Sequence, residues 1–171
     1  MRVVEIPLTK GYVALVNTED LPLLPKGKWT ADVRKNGKVY ARKNVRDAAN
    51  KPQKLYMHHC ILPPKQGVEV DHRNNNGIDN RRNNLRYLTQ SQNQANRHRV
   101  RAASGYKGVV RSYKKKNPWR VQIQGFAFGN FKTKEEAARA YDLEALKRFG
   151  DCAKTNFPLE EYAEQQLLEA A

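Results

Sequence analysis

Residues 68–100 set the strongest limit on what this chain can fold into. VEVDH alternates, so Val68, Val70 and His72 share one face of a strand and Glu69 and Asp71 the other. RNNNGIDNRR is built from residues that accept left-handed backbone and bond to their own turns, so it reads as a loop. NLRYL reads as a second strand. Thr89 then opens a helix, TQSQNQANRHR, with Gln92 placed to complete a capping box. Strand, loop, strand and helix fill only about 35 residues, too few for a core of their own, so the unit must lean on its neighbours.

Residues 1–56 supply one neighbour. VVEIPL, GYVALV, WTADV and KVYARK are β-rich and separated by turn residues, and Asn36-Gly37 signals a hairpin. Trp29, Val33, Val39 and Tyr40 are expected in the core or half-buried. After a small, basic linker, RVRAASG, the strands YKGVVR, WRVQIQ and FAFGNF follow, with a turn at Gly125. Trp119, Val121 and Ile123 alternate with Arg120, Gln122 and Gln124, giving one apolar and one polar face. TKEEAARAYDLEALKRFG is a helix with a Thr133/Glu136 capping box and Gly150 at its stop. Ala138, Tyr141, Ala145 and Phe149 should pack on the apolar face of the sheet. Only 39% of residues are hydrophobic, but eight Tyr, five Phe and two Trp can furnish several small cores. The expected fold class is α+β. Its parts are a β-rich region at 1–56, a strand–loop–strand–helix module at 57–100, a three-stranded antiparallel sheet packed on one helix at 101–158, and an acidic tail at 159–171.

The net charge is +15, and residues 101–120 hold seven Lys or Arg and no acid, which points to a polyanionic partner, most often nucleic acid. Cys60 and Cys152 stand far apart, so neither a disulfide framework nor a zinc knuckle is suggested. The sequence shows no secretory leader and no apolar run of about 18 residues that could span a membrane. An intracellular protein is expected.

Asp71 and His72, adjacent on a strand, point to opposite faces and cannot be a hydrogen-bonded dyad. They can line two sides of one site if the helix folds over the hairpin. The carboxylate of Asp71 and the amide oxygen of Asn93 are hard donors suited to Mg²⁺ or Mn²⁺, with water and substrate phosphate completing the shell. Neutral His72 can take a proton from attacking water.

The segment LYMHHCILPPKQGVEVDHRNNNGIDNRRNNLRYLTQSQNQANR resembles HNH endonucleases of the phage homing type, with a ββα-metal fold. The resemblance is strongest over residues 55–97. It implies His72 as general base, Asp71 and Asn93 as ligands of a divalent ion, Asn84 as the brace that holds the loop and orients His72, and Thr89 as the helix cap. Asn96 and Arg97 would meet DNA phosphate. Relatives often read MHR where this chain reads MHH, so a phosphate-facing Arg is missing at His59. The resemblance leaves His58 and His59 as structural residues.

The segment from SGYKGVV to KTNFP resembles an AP2 DNA-binding domain, which lays its three-stranded sheet in the major groove. Lys107, Arg111, Arg120, Gln122 and Gln124 match its exposed face. Arg can pair with guanine and Gln with adenine, while Lys114, Lys115 and Lys116 would grip the backbone. Plant members carry Glu and Arg where Gln122 and Gln124 stand, and Trp near Ala127, so their target preference does not transfer.

Together the resemblances imply a phage- or mobile-element-encoded endonuclease of double-stranded DNA without a small-molecule cofactor, its oligomeric state left open with a monomer favoured. In it the sheet selects the sequence and the nuclease cuts. One alternative is a non-cutting, sequence-specific DNA-binding regulator, against which the intact Asp71, His72, Asn84 and Asn93 argue. Another is a basic RNA-binding protein, which no aromatic RNP-like stretch supports.

Overall fold

The computed structural model describes residues 2–97 and 103–162. The end of the expected helix at 98 and 99, the expected linker residues 99–102 and the tail beyond Tyr162 lie outside the described residues. The chain forms two compact units, residues 1–90 and 91–171.

In the first unit, β1 (Val3–Pro7) and β2 (Val13–Asn17) form an antiparallel hairpin. β3 (Thr30–Val33), β4 (Val39–Arg46) and β5 (Pro52–Tyr56) form a second sheet in sequence order. The Asn36-Gly37 turn closes β3 on β4, with Gly37 at φ 79° and Asn36 Oδ1 accepting from Lys38 N at 3.2 Å. A short helix, α1 (Met57–Ile61), leads to β6 (Val68–His72), which pairs antiparallel with β7 (Leu85–Thr89). Leu8, Ala14, Val16, Trp29, Ala31, Ala41, Met57, Ile61 and Leu85 close one common core. The N-terminal strands therefore provide the apolar support that the β6–β7 hairpin cannot build alone. Val33, expected inside, is 42% exposed.

The loop between β6 and β7 is pinned from outside. Leu15 of β2 donates its N–H to the Ile78 carbonyl at 2.9 Å and accepts from Asn80 N at 2.8 Å, so a single parallel bridge ties the loop to β2. Arg82 N donates to Asn17 Oδ1 at 2.8 Å and Arg82 Nε to buried Asp20 at 3.1 Å. Gly77 lies against Tyr40, where a Cβ would come within 2.6 Å of the ring and 2.4 Å of the Val39 carbonyl.

α2 (Gln90–Asn96) follows Thr89 directly, so Thr89 occupies the position a helix cap takes. The second unit contains β8 (Val109–Arg111), β9 (Trp119–Ile123) and β10 (Phe126–Phe131), antiparallel with β9 in the centre. Val109, Val121 and Ile123 pack on Ala137, Ala138, Tyr141 and Ala145 of α3 (Lys134–Phe149). The expected capping box is present: Glu136 N donates to Thr133 Oγ1 at 3.1 Å, and Thr133 N to Glu136 Oε2 at 3.3 Å. Fully buried Asp142 accepts from Asn156 N at 2.8 Å, Phe157 N at 2.9 Å and Tyr162 Oη at 2.8 Å, tying the NFP turn to the helix.

Candidate active site

His72 is the last residue of β6, opposite Leu85, and only 5% exposed. Its Nε2 lies 3.3 Å from Oδ1 of Asn80. The Asn80 amide nitrogen is committed to the Ile78 carbonyl at 3.1 Å, which turns the amide oxygen toward the ring. A carbonyl oxygen can only accept, so Nε2 carries the proton and Nδ1 keeps the lone pair. Burial, the largest influence, pushes the His72 imidazole below its ordinary value. The Asn80 bond, Asp71 and Asp79 pull the other way. The ring is thus neutral at neutral pH, the form a general base needs.

The amide-rich loop is a hydrogen-bond lattice. Asn84 Oδ1 accepts from Asn74 N at 3.1 Å, and its Nδ2 donates to the Asp79 carbonyl at 2.7 Å and to Asn74 Oδ1 at 3.0 Å. Asp79, 2% exposed, accepts from Asn74 Nδ2 at 2.8 Å and from Arg81 Nε and Nη2 at 2.8 and 2.7 Å. The Arg81 bonds hold its carboxyl below the usual range. Asn84 therefore holds the loop, but the side chain that hydrogen-bonds the His72 ring is Asn80. Asn80 and Asp79 were not distinguished by sequence from the other turn residues around them. Their only signal was an Asp-Asn pair following Ile78 in a loop.

Asp71 stands opposite Arg86 across the hairpin, and Arg86 Nε donates to its Oδ2 at 3.2 Å. The side chains are 17% and 8% exposed. Asn93 is a half-buried residue of α2, in the second unit, and Arg97 is exposed just past that helix. Among the described residues no three His, Cys, Asp or Glu side chains converge as a metal-ligand set. The donors at hand are one carboxylate and amides, which suit a hard ion that keeps several waters rather than zinc.

On the sheet of the second unit, three of the expected DNA-contacting residues lie off the polar face. Lys107 is buried; its ammonium donates to the Ala95 carbonyl and, at 3.4 Å, to that of Lys154, and it lies 5.8 Å from the Tyr141 ring centre. Burial lowers it to about 8. It is an internal clamp. Arg111 pairs with Trp119 in the register, so it lies on the Trp119 side of the sheet, and Val110 takes the place opposite Arg120. Gln124 leaves the strand: it sits in the turn at φ 51°, exposed, with its amide donating to Ser91.

Arg120 and Gln122 do share the polar face. Arg120 is opposite Asn130, and Arg120 Nε and Asn130 Oδ1 are both buried with no hydrogen-bond partner among the described residues. Asn130 was missed by sequence reasoning, because the irregular register between Ala127 and Gly129 shifts which β10 residues face out. Lys114, Lys115 and Lys116 are exposed in the turn before β9.

The family model for HNH endonucleases matches residues 57–95, which span α1, the hairpin and most of α2. An uncharacterized HNH endonuclease of Acanthamoeba polyphaga mimivirus is 28% identical over 157 residues, 86% of this chain and 76% of that protein. An AP2-like ethylene-responsive transcription factor of Arabidopsis thaliana is 40% identical over 76 residues, or 41% of this chain. Another from Oryza sativa is 54% identical over 37 residues, 22% of this chain. The chain aligns with only 13% of the Arabidopsis factor's length and 6% of the rice factor's. By these matches the chain resembles HNH endonucleases along most of its length and AP2-like factors over a minor part.

Proposed function

We propose that this protein, with its HNH endonuclease module at 57–95, hydrolyses phosphodiester bonds of double-stranded DNA with a divalent metal ion. In this reading the AP2-like sheet directs it to its target, as in a homing-type nuclease. The observation that carries the reading is the buried, neutral His72, whose Nε2–H is taken by Asn80 so that Nδ1 can accept a proton.

In this reading His72 Nδ1 takes a proton from the attacking water. Asn80 holds the ring in the required tautomer, and Asn84 and Asp79 keep the loop that carries Asn80 in shape. Asp71 would hold the ion, kept in orientation by Arg86. Asn93 is the second proposed ligand on the sequence pattern alone. A bound Mg²⁺ or Mn²⁺ supplies charge stabilisation for the phosphoryl oxygens and the leaving group. Arg120, Gln122 and Asn130 are the proposed base-reading groups, with Lys114, Lys115, Lys116 and Arg97 on phosphates.

The test is nicking of supercoiled plasmid in Mg²⁺ or Mn²⁺ beside the same protein in EDTA and beside Asp71→Ala. Metal-dependent cleavage lost in the variant supports the reading. The similarity to AP2-like factors favours one rival, a regulator that binds without cutting. Binding to a selected duplex with no cleavage of it in either metal would establish that rival.

A further inference from the structure

A cleft of about 320 Å³ opens in the first unit on the face of β6 that carries Val70 and His72. It is lined by Arg34, Tyr40, Tyr56, His58 and His59 as well as Val70. His58 is 7% exposed, and its ring centre lies 5.0 Å from that of His72 and 4.3 Å from that of His59. Its Nδ1 is buried and has no hydrogen-bond partner among the described residues. His58 lines the cleft, and a buried ring nitrogen left without a partner beside it is a polar group that calls for an explanation.

One cation lines the cleft, and it is paired with an acid. Arg34, 47% exposed at its side chain, lies 5.9 and 5.7 Å from the centres of the Tyr40 and Tyr56 rings. One of its nitrogens, Nη2, donates to Tyr56 Oη at 2.6 Å and pairs with Asp32 at 3.1 Å. Those contacts take up Nη2, which both forks of the guanidinium share, and leave Nε and Nη1 as separate single donors to a phosphate. Tyr56 stacks on His58 with ring centres 5.5 Å apart, so a guanidinium, a phenol and two imidazoles form one wall. Burial keeps both imidazoles neutral, so they donate hydrogen bonds without adding charge.

We propose that this cleft is a second phosphate subsite, which holds a DNA backbone phosphate beside the one attacked at His72. Arg34 is its charged anchor, and His58 and His59 are its neutral hydrogen-bonding partners. The inference rests on the endonuclease reading for its substrate and adds specific binding residues to it. Seating a neighbouring phosphate would fix the reacting strand relative to His72, so loss of Arg34 should weaken substrate binding more than turnover.

The experiment follows the imidazole resonances of the full-length protein in EDTA, titrated first with inorganic phosphate and then with a short DNA duplex. Wild type is compared with Arg34→Gln and Arg34→Lys, and plasmid nicking is measured alongside in Mg²⁺. Both probes should shift the His58 and His59 signals in wild type. Arg34→Gln should abolish the phosphate response and raise KM for plasmid about tenfold with kcat nearly kept, and Arg34→Lys should restore part of both. Histidine signals that ignore both probes, or that respond equally in Arg34→Gln, would overturn the subsite even if plasmid is nicked. Responsive histidines in a protein that never nicks would leave the subsite standing and remove the endonuclease reading.

Discussion

Asn80 Oδ1 faces His72 Nε2 at 3.3 Å, and this one contact decides which nitrogen of the imidazole can act as a base. Replacing Asn80 by Leu keeps the volume but removes the acceptor. kcat should fall by about 10²-fold with KM little changed, the scale of general-base catalysis. Asn80→Asp, which still accepts from Nε2–H, should retain more activity than Asn80→Leu. Equal loss in both would mean that the side chain serves packing alone.

His58 makes a pH prediction. Its imidazole is pushed down to about 3, chiefly by burial and then by His59 and His72. An unfolded chain takes that proton near pH 6.5, whereas the folded chain refuses it until about pH 3. Unfolded chains therefore bind more protons in this window, and stability falls as the pH drops through it. The slope is on the order of 1.4 kcal/mol per pH unit. Urea midpoints of wild type and His58→Phe across this window should diverge, with the variant's curve flatter. Parallel curves would show that His58 is not the group refusing the proton.

Two lysines separate clamp from contact. Lys107 holds the Ala95 and Lys154 carbonyls from a buried position, so Lys107→Ala should cost about 1–3 kcal/mol of stability through unsatisfied acceptors. It should leave the salt dependence of DNA binding unchanged. Exposed Lys115 should do the reverse: Lys115→Ala should leave stability alone and reduce the salt slope by about one. Binding isotherms at several salt concentrations beside thermal melts measure both.

On the sheet, Arg120→Ala should relax sequence preference, and Asn130→Ala should do the same, since the two sit opposite each other with unpartnered polar atoms. Selection of bound sequences from a random duplex pool measures this. A uniform loss of affinity across all sequences would reduce both to backbone contacts.

Local and distant contacts left unequal traces in the sequence. The β6–loop–β7 hairpin was legible because alternation and turn residues are local signals, and the same holds for α3, whose capping box is written in Thr133 and Glu136. The adjacency of Asp71 and His72 also gave their opposite faces. Asn80 was not legible, because its amide is aimed by a loop that β2 pins through Leu15, far away in sequence. Lys107 looked like a surface cation because nothing local announces Tyr141 and Ala95 around it. Arg111 was misplaced by one step of register in a strand of three residues, and Gln124 by a turn that begins one residue early.

His72 is the proposed base of the nuclease. The most direct measurement is a nicking time course on supercoiled plasmid in Mg²⁺ for wild type and His72→Ala, at enzyme concentrations where both bind the plasmid equally. Wild type should nick, and the variant should lose about 10²–10⁴-fold at equal binding. Equal nicking by the two proteins would contradict it.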